Sequence, residues 1–356
     1  MTRRPHLDGV LTEVDIAATA DAIAAVQQPD GLILWFPGGH ADPWNHVEAA
    51  MALAVGGRRD AAEAAYQWLV DSQRPDGSWH HYYLADRIED PKFDANVCAY
   101  VATGAWHHWC LTGDRGFLET MWPVVERAID WVLDLQTPRG EIIWARHADG
   151  TPWSFALLTG SSSTYHSLRC AIAMAEELGH ERPDWELSAG RLGWVIANEP
   201  DAFAPKDRWA MDWYYPVLAE AVRGDSARRR LAEGWDTFVM DGLGVRCVSD
   251  RPWITAAETC ECAMAHLVAG DDVTARALFE WVQNLRSDDG AWFTGIVYPQ
   301  EVHFPGDETS TYTAAAVILA ADALSRATPA AGVLLGEGLP LGVDPAEAED
   351  DVLDLD

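Results

Sequence analysis

Two glutamates three residues apart, Glu258 and Glu261 in the run ITAAETCEC (254–262), are the part of this sequence best suited to chemistry. The run reads as the opening of a helix, where a spacing of three places both side chains on one face. Two carboxylates on a poorly hydrated face cannot both ionise freely, so one is pushed toward its protonated form and becomes a general acid. A carboxylate across a cavity would then act as base or nucleophile. The candidates are Asp307 and Glu308 in DETSTY (307–312), and Asp42 in DPWNH (42–46). Each has a plainer reading, because carboxylates in a first helical turn complement the helix dipole and Asp is a good N-cap. Capping explains Asp42, with Pro43 at the first helical position. It does not explain why Trp44, Asn45 and His46 follow there, after the flexible pair Gly38-Gly39.

Other helix starts carry similar side chains. Trp44, His46, Asp94, Tyr165, His166, Asp212, Trp213, Tyr214 and Tyr312 are read as substrate contacts; each alone suits packing, but their recurrence at equivalent positions argues for a shared site. Trp35, Trp44, Trp153, Trp213 and Trp253 lie in the segments leading into these helices and form a candidate binding wall. No metal or cofactor is expected. The adjacent pairs His80-His81 and His107-His108 point their rings apart, and Cys260 and Cys262 fall on different faces of a helix.

The elements that must position these residues follow from a repeat. Trp68, Trp131, Trp235 and Trp281 each stand nine residues before a glycine, respectively Gly77, Gly140, Gly244 and Gly290. Such recurrence marks stacked supersecondary units, with the tryptophans expected to wedge outer helices together. Apolar spacing, caps and breakers predict twelve helices. Those at roughly 12–28, 60–74, 116–135, 185–198, 226–239 and 272–286 are amphipathic and read as outer. Those at roughly 43–56, 94–112, 162–179, 213–223, 255–269 and 309–326 are nearly charge-free beyond their first turn and read as inner. The expected fold is all-α, a single-domain (α/α)6 toroid of six helical hairpins over residues 1–342, with 343–356 an acidic disordered tail. All inner helices then point one way, and their N-termini converge on one rim. Outer-to-inner connections are also the long ones, and long loops on one rim are where function is usually carried.

Composition narrows the partners. With 356 residues, 49% hydrophobic, the chain buries a large core, and a formal charge of −31 disfavours nucleic acid and anionic lipid. No apolar run approaches the ~18 residues of a membrane span and no secretory leader is visible, so a cytoplasmic protein with no membrane insertion is expected. The six cysteines suit reduced core thiols.

The turn Q-x-P-D-G-x-W, clearest at Gln73 to Trp79, resembles the repeat of the squalene cyclase, terpenoid cyclase and protein prenyltransferase toroids, over about residues 12–328. That resemblance implies the toroid and an isoprenoid substrate. The chain departs from it at the site: no D-x-D-D acid occurs on a helix, and Glu258-Thr259-Cys260 stands where those transferases place an Asp-x-Cys zinc pair, without a histidine on the last inner helix. Rim carboxylates beside Trp and Tyr look more like the six-hairpin glycosidases, in which an acid protonates the leaving oxygen and a second carboxylate works across the sugar. The leading expectation is a carbohydrate-processing enzyme of glycoside hydrolase type, with a small-molecule or oligosaccharide substrate. The alternatives are an isoprenoid-processing enzyme and a non-catalytic toroid that binds a sugar or a protein.

Overall fold

The computed structural model describes residues 3–343, and the twelve expected helices are present as six hairpins. The outer helices are α1 (Glu13–Ala24), α3 (Arg59–Ser72), α6 (Arg115–Leu133), α8 (Pro183–Asn198), α10 (Gly224–Phe238) and α12 (Asp272–Trp281). The inner layer is α2 (Pro43–Val55), α4 (Ala95–Ala99) continued by α5 (Val101–Thr112), α7 (Leu158–Leu178), α9 (Ala210–Leu218), α11 (Ala256–Val268) and α13 (Thr311–Ser325). Each inner helix packs on the next around the ring, and α13 closes it against α2. Small residues permit this: α13 and α2 are alanine-rich and buried on nearly every face, so six helices fit around one axis.

The repeat is a packing device with an identifiable mechanism. In three of the repeats the glutamine four residues before the turn glycine donates both to its own turn and to the next outer helix. Gln27 bonds Gly31 O and Ala61 O (2.9 Å each), Gln73 bonds Gly77 O (3.0 Å) and Val124 O (2.8 Å), and Gln136 bonds Gly140 O (2.9 Å) and Ser188 O (3.0 Å). In the last repeat Arg286 takes this position and pairs with Asp15 of α1 at 2.5 Å, tying the ends of the ring together. The tryptophans divide. Trp68 and Trp131 are buried as expected, but Trp235 and Trp281 remain half-exposed.

Short antiparallel strands occupy the rim, where the loops leave backbone groups without helical partners. The largest sheet joins Trp253–Thr255, Phe293–Val297 and Val302–Thr309. This corrects one expectation: Asp307 and Glu308 lie on the last strand, where Val302 to Phe304 pair with their neighbour, and α13 starts only after Ser310. At the opposite end the chain after α13 straps the ring. The buried guanidinium of Arg169 donates to Pro340 O, Ala219 O, Gly336 O, Leu339 O and the Glu220 carboxylate, so a charge is buried with its donors satisfied. Val343 N still bonds Glu186 O on α8 (3.1 Å); the remainder of the expected acidic tail, 344–356, lies outside the described residues. All six cysteines are free, five of them buried, and no helix among the described residues is long and apolar enough to cross a membrane.

Gly77 sits at φ +96°, and a Cβ there would lie 2.2 Å from Arg127 O on α6. Gly113, the C-cap of α5 at φ +66°, faces open space. Gly113→Ala is therefore expected to cost about 1 kcal/mol, the left-handed term alone, and Gly77→Ala about 3 kcal/mol, since the clash adds to it. Urea denaturation of both variants checks this, and equal losses would contradict the packing role of the turn.

Candidate active site

The rim collects the predicted carboxylates at different depths. Glu258 opens α11 half-buried, with burial pushing its pKa up and the Thr255 side chain opposing the shift. Asp42 caps α2 by accepting from Asn45 N (3.0 Å), and its carboxylate also accepts from Asn45 Nδ2 (2.6 Å) and Trp35 Nε1 (2.8 Å). Burial raises its pKa and these donors pull it back. A chain of contacts joins the two sides of the mouth: Trp35 meets Tyr312 edge-on at 5.0 Å, and burial, then the charge of Glu258, raises the Tyr312 hydroxyl to about 12. Asp94 caps α4 through Val97 N (3.2 Å), with His81 Nδ1 3.8 Å away. Burial lifts it to about 6, against the pull of Val97 N–H and the Trp144 indole.

Beneath the mouth lies a polar floor that sequence reading found only in part. Glu261, one turn below Glu258, is buried and accepts from Tyr214 OH. Glu48, absent from the predicted set, accepts from Trp44 Nε1 (2.9 Å) and Tyr100 OH (3.1 Å). Burial raises both glutamates, Glu48 to about 7; the charge of Asp42 raises Glu48 further, and those of Glu48 and Glu258 raise Glu261 further. They line a cavity of about 30 Å³ with Tyr100, Ser163, His166 and Tyr215, room for a water molecule rather than a sugar. Here His166 is held near 3 by burial, with neither ring nitrogen hydrogen-bonded. A signal for Glu48 was available: it is the lone carboxylate of an otherwise apolar helix, four residues from Trp44 and so on the same face.

Trp44, Tyr312, Asp94, Tyr214 and His166 thus join the mouth and floor, while four other expected contacts point elsewhere. His46 is a core residue, its ring accepting from Ile33 N (3.1 Å) and meeting Ala65 O at 2.9 Å; burial drops its pKa to about 4. Tyr165 turns outward onto Leu341 O (3.2 Å) and Gly193 of α8. Trp213 stacks on Phe238 and donates to Arg230 O (2.8 Å). Asp212 accepts from Thr159 N (3.2 Å) and Oγ1 (2.5 Å), in a groove shared with α10. One residue of offset turns a helical side chain about 100°, enough to move Tyr165 and Trp213 to the outer face while His166 and Tyr214 look inward. Asp307 is solvent-exposed and pairs with His303 at 3.0 Å. Glu308 is half-buried and accepts from Thr294 Oγ1 (3.2 Å). No cluster of three or more His, Cys, Asp or Glu among the described residues is arranged to hold a metal ion.

The chain is 53% identical over 340 residues to the MMP endo-(1,4)-3-O-methyl-alpha-D-mannosidase of Mycolicibacterium hassiacum, covering 96% of this chain and 94% of that protein. No family model matches. Among solved structures, a D-mannose isomerase superposes with a TM-score of 0.70 at 12% identity, over 88% of this chain and 96% of that one. The GH63 mannosylglycerate hydrolase of Thermus thermophilus gives 0.66 at 12%, over 85% and 99%. These structures share the fold. These relatives are named for reactions on sugars, and the repeat that resembles terpenoid cyclases serves the packing of the toroid through its Gln-to-turn bonds.

The raised carboxyl of Glu48 has a measurable consequence. Folded Glu48 keeps its proton up to about pH 7, whereas an unfolded chain releases it at about 4.3. The folded state binds more protons between these values, so its stability falls as pH rises through that window. Glu48→Gln removes this dependence, and its melting temperature is expected to fall less between pH 5 and pH 8 than that of the wild type. Parallel slopes in calorimetry would show that Glu48 ionises normally.

Proposed function

Since the chain belongs to the family of the M. hassiacum MMP endo-(1,4)-3-O-methyl-alpha-D-mannosidase, we propose that it is a glycoside hydrolase cutting 1,4-linked 3-O-methyl-α-D-mannose chains internally. One set of contacts supports the reading beyond family membership: Asp42 accepts from Trp35, Trp35 meets Tyr312, and the charge of Glu258 raises the Tyr312 hydroxyl. Glu258 is the general acid. Its burial favours the protonated form, and its half-exposure lets a glycosidic oxygen reach the proton. As the C1–O bond breaks, that proton passes to the leaving oxygen, and positive charge develops on the ring. Asp42 is the base. It removes a proton from the water that attacks C1, and its Asn45 and Trp35 donors oppose the upward push of burial on its pKa. The half-buried Trp44 ring, fixed by Glu48 between Tyr100 (5.7 Å) and Tyr215 (6.0 Å), offers the sugar an apolar face. Glu261, engaged by Tyr214 below the mouth, supports the floor and does not transfer the proton.

The test uses isosteric variants. Glu258→Gln keeps shape but has no proton to give, and Asp42→Asn keeps the N-cap, since Asn caps as well as Asp. Each is expected to lower turnover of a 3-O-methyl-mannose oligosaccharide by about 10²–10⁴-fold, with folding intact. Glu261→Gln should cost less than either. Mass spectrometry of wild-type digests should show shorter methylated oligomers; an active Glu258→Gln enzyme would remove the acid assignment.

A further inference from the structure

The loop between α6 and α7 builds an aromatic cluster that neither the acid nor the base uses. Trp144 and Trp153 meet edge-on at 4.6 Å, and Phe155 stacks on Trp144 at 5.5 Å. The three rings are half-exposed, so they pack on one another at the surface instead of in the core. Their backbone is fixed in a hairpin by Trp144 N to Phe155 O (3.0 Å) and Trp153 N to Ala145 O (2.8 Å). Pairing of Phe93 with Arg146 and Asp94 with Ala145 then pins the hairpin to the strand that leads into α4, at the rim.

The cluster is continuous with the mouth. Lys92, held by Asp90 at 2.8 Å, places its ammonium 5.1 Å over the Trp144 ring and 5.8 Å from that of Tyr82. Tyr82 lies 5.8 Å from Trp35, which is bonded to Asp42. A wall of half-exposed rings therefore leads from Tyr312 beside Glu258, through Trp35 and Tyr82, to Trp144 and Trp153. The Trp153 indole N–H is buried and has no hydrogen-bond partner among the described residues, so this ring offers a ligand its apolar face. Flat apolar faces with the fixed Lys92 ammonium along one edge match the alternation of C–H faces and oxygens along a pyranose chain. The formal charge of −31 opposes a polyanion, which leaves a neutral glycan as occupant.

We propose that the wall of Tyr82, Lys92, Trp144 and Trp153 is a distal sugar-binding stretch that holds units of a neutral mannose chain beyond those at Asp42 and Glu258. The enzyme thereby recognises a chain and not a terminal sugar. This rests on the hydrolase reading and names the residues that hold its chain away from the point of cleavage.

The experiment measures affinity by calorimetry for 1,4-linked 3-O-methyl-mannose oligosaccharides of graded length, with Glu258→Gln as the non-hydrolysing background. Affinity should rise with length. Adding Trp153→Ala should lower the long-to-short affinity ratio at least tenfold, and Trp153→Phe, which keeps a ring, should preserve most of it. An unchanged ratio in Trp153→Ala, with the variant folded by circular dichroism, overturns the proposal, as does equal weakening for all lengths. If Trp153→Ala does not fold, the ratio in Lys92→Met decides in the same way, with a drop expected. Length-dependent binding by a wild type that never cleaves would sink the hydrolase reading and leave the wall standing. Binding of no glycan at all would sink both.

Discussion

Closure of the ring is the constraint on which the rest of the structure depends. The last inner helix must meet the first, and residues nearly three hundred positions apart make that joint: Thr311 N bonds Trp35 O at 2.7 Å, Thr311 Oγ1 bonds Leu34 O at 2.8 Å, and Trp292 Nε1 bonds Thr19 Oγ1 at 3.2 Å. Only small side chains on α2 and α13 let the two helices approach closely enough. Because the same joint brings Trp35, bonded to Asp42, against Tyr312, it also sets the start of α2 against that of α13. Stability and site geometry are therefore one problem here.

Within the closed ring, depth sorts the carboxylates. Groups at the start of an inner helix meet helix N–H donors, as Asp42 and Asp94 do although buried, whereas those one turn further in lose them. Glu258 and Glu261 illustrate this: three residues apart on one helix, the first is half-exposed and the second is buried against Tyr214 and repelled by Glu48. The floor pair cannot carry two charges so close together in so little water, and its tyrosine and tryptophan donors are what make burial tolerable. The role of the floor follows from this: it holds Trp44 and closes the bottom of the mouth.

Two resemblances read from the sequence separate cleanly once the bonds are visible. The Q-x-P-D-G turn serves outer-helix packing, through a glutamine that bridges to the next hairpin, and a device of that kind is indifferent to the chemistry at the rim. A shared fold does not set the chemistry: structures with 12% identity to this chain and TM-scores near 0.7 belong to an isomerase and a hydrolase alike.

Much was determined by the sequence alone, because it rests on local physics. The periodicity of apolar residues set twelve helices and their inner or outer character, and cap residues such as Asp42 and Asp94 marked which ends face the rim. What only the tertiary structure decided is where each side chain points and what it meets. His46 and Tyr165 sit at helix starts as expected, yet one lies in the core and the other on the outer face, since helical rotation about the ring axis is not encoded in spacing to the nearest cap. Asp307 and Glu308 were read as helix-opening because the charged run precedes an apolar one; pairing with a strand ten residues earlier claimed that segment first. The spacing of Glu48 from Trp44 is legible in the sequence, but its bond to Tyr100, fifty-two positions away, is not, for the environment that shifts a buried carboxyl is made by residues distant in the chain.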